Sequence, residues 1–418
     1  MRTIYSLFIN IYRFLIWVAS IKNPKAKAWI RGRRNWHTRL KNGLSNNQKP
    51  VIWIHCSSLG EFEQGRPIIE RLRDQQKNVF ILLTFFSPSG FEIRKNYNKA
   101  DYVCYLPLDT PCNARRFIET VNPVVAIFVK YEFWYNYLNI LKKRSIPVWL
   151  ISGIFRKSQP FFNPFYGRWF AKQLKCFDYF FIQDQLSGEL LDSIEIQNYS
   201  VCGDTRFDRV IQIAEQIVPI EVVERFTNGF LTVVAGSTWP KEEEYIARWY
   251  QQTTKKVKII IAPHEIHSGH IQQIEQKFSG KSIRYSSAVL QRDLEKYDVL
   301  IIDNIGMLST VYSYGMISIV GGGFGKGIHN VLEPTVYGIP VIFGPNYNKF
   351  REAHQLIEIG AGFPVSTFDQ FSTVLETLMN NDTLRDEIRF KLNQYFASMK
   401  GSVELIMHRI ELLGLNNR

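Results

Sequence analysis

Cysteine is scarce in this chain, with five among 418 residues (Cys56, Cys104, Cys112, Cys176 and Cys202) and no CxxC pair. An odd, scattered set excludes a disulfide framework and a cysteine zinc site, and it suits a reducing compartment. No GxGxxG follows a strand and no Walker A spacing occurs, which argues against a nicotinamide enzyme and a P-loop NTPase. His264, His267, His270 and His329 do not fall in an HExxH pattern, so no catalytic metal or other cofactor is expected. Acidic residues are missing from the first 50 positions, which hold eleven Lys/Arg. Taking those eleven from the 51 basic residues leaves 40 against 38 acidic ones. The formal charge of +13 is therefore local to the N-terminus. A nearly neutral body lacks the basic face that nucleic acid requires, so no nucleic-acid partner is expected.

That terminus begins with an apolar run from Ile4 to Ile21, broken by Asn10 and Arg13. As a helix of about 1.5 Å per residue it would reach roughly 27 Å, barely a hydrocarbon thickness. Lys22 to Lys41 follow, rich in cations with Trp29 and Trp36 interleaved, a flank suited to an anionic leaflet and its headgroups. No A-x-A cleavage site follows the run, so a removable signal peptide is not expected. Residues 1–41 read as a membrane anchor with inner-membrane lipids as partners. Arg13 leaves open whether it spans the bilayer or lies in its interface. The alternative is a helix packed on its own protein.

With 45% hydrophobic and 14% aromatic residues, the chain can bury two cores. Short apolar runs alternate with helical patterns at 51–56, 79–86, 101–107, 124–129, 148–153 and 179–184. A second set lies at 231–237, 258–264, 298–303, 316–322 and 340–344. Continuous apolar strands alternating with helices imply two doubly wound α/β domains. The strand signal lapses over 205–230, where Pro219 interrupts. The boundaries expected are 42–215 and 216–418, with the last helix free to pack back on the first domain. Ligands in such sheets bind beyond the carboxyl ends of strands, and there the unusual polar and glycine-rich residues lie.

The largest cluster is VGGGFGKGIHNVLEP, Val320 to Pro334, with five glycines between Gly321 and Gly327. It leaves a strand and enters a predicted helix near Asn330, where backbone N–H groups can hold an anion such as a phosphate. Glu333 could accept from the two hydroxyls of a ribose, or Asn330 and Glu333 could be a cap pair in a turn. The stretch SSLGEFEQGRP, Ser57 to Pro67, presents Glu61 after the first strand. Ser58-x-x-Glu61 fits a capping box. Gly60 and Pro67 argue instead for a helix beginning near Arg66, with Glu61 in an entry turn facing a ligand. Further polar groups follow other strands in KYEFW (130–134), GDTRFD (203–208), AGSTWPKEEE (235–244), APHEIH (262–267) and DNIGML (303–308).

With these motifs assembled, the chain resembles the Kdo transferases, the 3-deoxy-D-manno-octulosonic acid transferases of lipopolysaccharide assembly in Gram-negative bacteria. The resemblance runs from the apolar N-terminus to about residue 366. It rests on SSLGE, GDTRFD, AGST, the block Gly321 to Pro345 and NKFREA at 348–353. It implies a GT-B glycosyltransferase of two Rossmann-like domains facing across a cleft, anchored at the cytoplasmic face of the inner membrane. CMP-Kdo would be held by the C-terminal domain and a lipid A precursor by the N-terminal one.

In that resemblance Glu61 is the general base, with Glu132 and Arg206 beside it in catalysis, and Ser58, Gly60 and Lys130 on the acceptor. The CMP site falls on Ser237, Pro263, His264, Ile305, Gly306, Met307, Gly327, Asn330, Val331, Leu332 and Glu333. A helix start would hold the Glu61 carboxyl below its ordinary range and keep it ionised. Four positions depart from the family pattern: Arg206 for Lys, His264 for Arg, Met307 for Glu, and Lys130 for the first Glu of Glu-Thr-Glu-Leu-Trp. Glu132 is the candidate to take over that Glu's supporting role. The rival readings are a GT-B enzyme using a UDP-sugar and another lipid acceptor, and a membrane-tethered nucleotide binder without catalysis.

Overall fold

The structure, a computed structural model, describes residues 2–76 and 78–415. The chain forms two compact units. One runs to Asp208 and takes back the chain from Met399 onward; the other is Arg209–Ser398.

The first unit is built on seven parallel strands: β1 (Val51–Cys56), β2 (Phe80–Phe85), β3 (Tyr102–Tyr105), β4 (Val125–Val129), β5 (Val148–Gly153), β6 (Tyr179–Ile182) and β7 (Tyr199–Val201). Their order is β3-β2-β1-β4-β5-β6-β7. All six side chains of β1 are buried, because helices cover both faces of a parallel sheet. On one face Trp53 packs against Phe117, Phe128 and Tyr137. On the other, Ile52 and Ile54 share a core with Ile68 and Leu72 of the helix Leu59–Gln75 and with Ile406 and Met407 of the C-terminal helix Ser402–Glu411. Truncating a side chain such as Trp53 to alanine costs about 3–5 kcal/mol. Asp208 fixes the start of that last helix, accepting from the N–H of Gly401 at 2.7 Å and of Val403 at 3.1 Å.

The N-terminal helix Arg2–Ala19 lies against this unit. Ile9, Tyr5, Tyr12 and Ile16 pack with Trp29, Phe86 and Leu108, and the Tyr5 hydroxyl donates to Oδ2 of Asp109 at 2.7 Å. The other side exposes Ile4, Leu7, Phe8, Ile11, Phe14 and Leu15. No described helix is long and apolar enough to cross a membrane. The helix thus packs on its own protein by one face and leaves an apolar stripe on the other.

The second unit repeats the design with β8 (Thr232–Thr238), β9 (Lys258–Pro263), β10 (Ser282–Arg284), β11 (Val299–Ile301), β12 (Ile317–Val320), β13 (Val341–Phe343) and β14 (Gly362–Pro364). All pair in parallel, in the order β10-β11-β9-β8-β12-β13-β14. Each sheet reverses its order beside its first strand, between β1 and β4 and between β8 and β12. Such switch points open a crevice at the strands' carboxyl ends.

Candidate active site

At the β1/β4 switch point, β1 ends at Cys56 and Ser58 caps a helix that begins at Leu59. The helix does not wait for Arg66. Glu61 accepts from the N–H of Ser58 at 2.9 Å, closing the first turn. Pro67 lies buried inside the helix, where it forgoes the bond to the carbonyl four residues back and its ring crowds that carbonyl. Gly60 is exposed on that turn, and a Cβ there would meet nothing nearer than Ser58 Oγ at 4.0 Å. Packing does not demand this glycine, and the space beside Glu61 stays open.

The Glu61 carboxyl is pushed up to about 7 by burial first and by the charge of Glu132 second. The N–H groups of Ser58 and Ser57 and the charge of Lys130 pull the other way. This reverses the expectation from the helix start: the favourable N–H dipoles are present, but desolvation and a neighbouring anion outweigh them.

β4 delivers the second half of the site. Lys130 follows it in a left-handed conformation, φ 66°, with its ammonium 5.3 Å from the Tyr131 ring. Glu132 is buried at 6% exposure. Its Oε2 accepts from Trp134 Nε1 at 2.5 Å and lies 3.1 Å from His55 Nε2. Behind it, Thr84 Oγ1 lies 2.8 Å from His55 Nδ1 and accepts from Trp53 Nε1 at 2.8 Å. Trp53 and His55 are alternate residues of β1, and Thr84 faces them from β2.

Arg206 also belongs to the first unit. Its Nε and Nη2 donate to Oδ2 of Asp204 at 3.1 and 2.9 Å. Gln64 Nε2 donates to the same oxygen at 2.7 Å. Burial works to raise the Asp204 carboxyl, but the charge and hydrogen bonds of Arg206 prevail and hold it below the usual range. Arg206 is thus tied to the helix that carries Glu61, with its charge partly met by Asp204.

In the second unit the switch point between β8 and β12 collects the nucleotide candidates. Gly321 runs so close to β8 that a Cβ would lie 2.2 Å from the carbonyl oxygen of Ser237. Ser237 itself is left-handed, φ 52°. Glu242 anchors the glycine loop by accepting from Gly322 N at 2.8 Å and Trp239 N at 3.2 Å. Three rings stack beside it. Trp239 lies 4.8 Å from His264, and His264 4.5 Å from His329, between centroids. Trp239 Nε1 donates to His329 Nε2 at 3.3 Å, and burial, with His264 alongside, pushes His329 down to about 4. His264 follows Pro263 at the end of β9 and is exposed.

The helix near Asn330 is a single turn, Leu332–Thr335, because Pro334 and Gly338 limit its extension. So short a helix has little dipole, and loop N–H groups must hold any anion. Asn330 Nδ2 donates to Oε1 of Glu333 at 3.1 Å, and its Oδ1 accepts from Leu332 N at 3.1 Å. Ser309 Oγ donates to Oε2 of Glu333 at 3.1 Å, which brings the segment after β11 to the same place. There Gly306 takes φ 102°, Ile305 is 87% exposed and Met307 precedes the turn Leu308–Val311. Val331 and Leu332 are buried, so their backbone rather than their side chains is available to a ligand. Gly327 stands in the loop against Phe350. Among the described residues no three His, Cys, Asp or Glu side chains group as metal ligands.

Residues 34–209 match the family described as 3-deoxy-D-manno-octulosonic-acid transferase (kdotransferase). A 3-deoxy-D-manno-octulosonic acid transferase of Aquifex aeolicus is 32% identical over 343 residues, which is 80% of this chain and 87% of that protein. One from Haemophilus influenzae is 25% identical over 408 residues, 94% and 93% of the two chains. This chain belongs to the Kdo transferase family. The crystal structure of MurG from Acinetobacter baumannii, 13% identical, superposes with a TM-score of 0.56 over 87% of this chain and 99% of that one. That likeness supports the two-domain GT-B fold. The protein is therefore a glycosyltransferase that moves Kdo in lipopolysaccharide biosynthesis.

Several residues of this Kdo transferase's sites escaped the sequence reading: His55, Thr84, Trp239, Glu242 and Ser309, while His329 was weighed only as a metal ligand. His55 sits inside an apolar strand with no local sign of its partner 77 residues away. Glu242 was visible only as one of three consecutive glutamates. His270, in contrast, is structural: its Nε2 lies 3.0 Å from Glu243 Oε2, and both are buried.

Proposed function

We propose that this Kdo transferase takes Kdo from CMP-Kdo and adds it to a lipid A precursor, with Glu61 as the general base. The observation that carries the assignment is the Glu61 carboxyl, raised to about 7 beside the open space at Gly60. A base works best with a proton affinity near the operating pH. The acceptor's sugar hydroxyl attacks the anomeric carbon of Kdo as its proton passes to Glu61. The bond from that carbon to the CMP phosphate oxygen breaks with inversion. CMP leaves as an anion and needs no general acid to protonate it. Loop N–H groups and nearby cations stabilise the charge that develops. Asn330, Glu333 and Ser309 suit the ribose hydroxyls, with the exposed face of His264 beside the glycine loop for the phosphate.

The acceptor's phosphates and acyl chains fit the N-terminal region. A groove of about 810 Å³ is lined by Arg13, Lys27, Arg31 and Arg34 together with Phe14, Trp17 and Trp36. The stripe Ile4, Leu7, Phe8, Ile11, Phe14 and Leu15 suits a helix lying in the membrane interface, and the cationic flank suits an anionic cytoplasmic leaflet. Incubating the protein with CMP-Kdo and a tetraacylated, bisphosphorylated acceptor, then weighing the product, tests this reading. A product heavier by one or more Kdo residues supports it, and an acceptor of unchanged mass with intact enzyme contradicts it.

A further inference from the structure

Buried behind Glu132 is a directed chain of hydrogen bonds that transfer chemistry alone does not call for. Trp53 Nε1 can only donate, so Thr84 Oγ1 accepts from it at 2.8 Å. The Thr84 hydroxyl proton then goes to His55 Nδ1, 2.8 Å away, in preference to the Ile54 carbonyl at 3.5 Å. With Nδ1 accepting, a neutral His55 carries its proton on Nε2, which points at Glu132 Oε2 from 3.1 Å. Trp134 Nε1 adds a second donor to that oxygen at 2.5 Å, a much shorter approach than its 3.2 Å to His55 Nε2, so its proton goes to the carboxylate. His55 is fully buried and Glu132 nearly so. A buried carboxylate keeps its charge only while such donors face it.

We infer that His55 is a positioning residue: held by Thr84 and Trp53, it keeps Glu132 anionic, so that Glu61 is the carboxyl of the pair that takes and releases the proton. The inference rests on Glu61 being the base. Two carboxylates whose charges act on each other titrate as one coupled system, and what matters is which of them holds the first proton. With Glu132 fixed as the anion, that proton falls on Glu61, which makes it a stronger base and inactive once protonated. Within the field of the pair lie the cation Lys130, which opposes the effect, and Cys56, Tyr131 and Tyr5, with Glu63 acting on Cys56 as well. The Cys56 thiol is itself pushed up by burial, so it stays neutral.

The test is the pH profile of kcat/KM for CMP-Kdo and the lipid acceptor in the full chain. It is accompanied by an infrared titration of the carboxylate band that disappears in E61Q. In His55→Leu, Glu132 loses one of its two donors and competes for the first proton. The acid limb and the Glu61 band should then move to lower pH by about one unit or more, while the alkaline plateau falls. His55→Gln, which retains an N–H for Glu132, should keep the limb near that of the parent. Should His55→Leu fail to fold, Trp134→Phe removes the other donor and should shift the limb the same way by less. A folded His55→Leu or Trp134→Phe protein that loses rate with its limb and band unmoved would overturn the inference. Near-parent transfer by E61Q would instead refute the base assignment, so the two failures are distinguishable.

Discussion

Glu61 and Glu132 interact directly through their charges: after burial, the Glu132 anion is the largest influence lifting the Glu61 carboxyl to about 7. The folded protein therefore holds a proton on Glu61 more tightly than the unfolded chain does, where 4.5 is the ordinary value. For an acid with a raised value, folding stability falls as pH rises through that interval. Glu61→Gln keeps an acceptor for the Ser58 N–H and removes the charge. Its Tm should exceed that of the parent above pH 7, by roughly 2–4 °C for each kcal/mol relieved, and match it below pH 4.5. Calorimetry across pH 4 to 8 checks this.

Activity should follow the opposite sign. Only the ionised carboxylate accepts a proton, so kcat/KM should fall tenfold per pH unit below about 7 and level off above it. Initial rates with radiolabelled donor across that range would show whether the limb lies there or near pH 4.5.

Gly60 and Gly321 should respond differently to the same substitution. Gly60→Ala meets nothing within 4.0 Å and gains helix propensity of about 1 kcal/mol, so folding should persist or improve. The methyl group would enter the space assigned to the acceptor, so the acceptor KM should rise while CMP binding stays. Gly321→Ala places a Cβ against the Ser237 carbonyl, and overpacking of this kind costs about 1–3 kcal/mol. CMP affinity, read by calorimetry, should fall with it.

The two sides of the N-terminal helix are separable. Leu7→Glu with Phe14→Glu alters only exposed positions and should leave Tm unchanged while sedimentation with anionic vesicles drops. Tyr5→Phe removes the hydroxyl bonded to Asp109, a loss of about 1 kcal/mol. It should make the helix easier to clip by protease.

The sequence revealed eleven strands, all but the partly exposed edge strand β3 being apolar runs covered on both faces. It did not reveal β7, β10 and β14, each of three residues and each at a sheet edge. An edge strand needs only one neighbour and carries little apolar pattern. Glu61, Glu132 and Glu333 were legible because they stand in glycine- or motif-marked turns. Their supports were not: His55 and Thr84 read as interruptions of β-strands, and only the register of β1 against β2 joins them. The raised Glu61 carboxyl was misjudged for the same reason. Helix-end dipoles follow from local sequence, whereas desolvation and a charge arriving from β4 depend on tertiary structure.

The most direct measurement is the single-turnover rate of Kdo transfer by Glu61→Gln beside its calorimetric affinity for CMP. Transfer should drop by about 10²- to 10⁴-fold with the CMP dissociation constant unchanged. A folded Glu61→Gln protein transferring Kdo near the parent rate would contradict the assignment of Glu61 as the base.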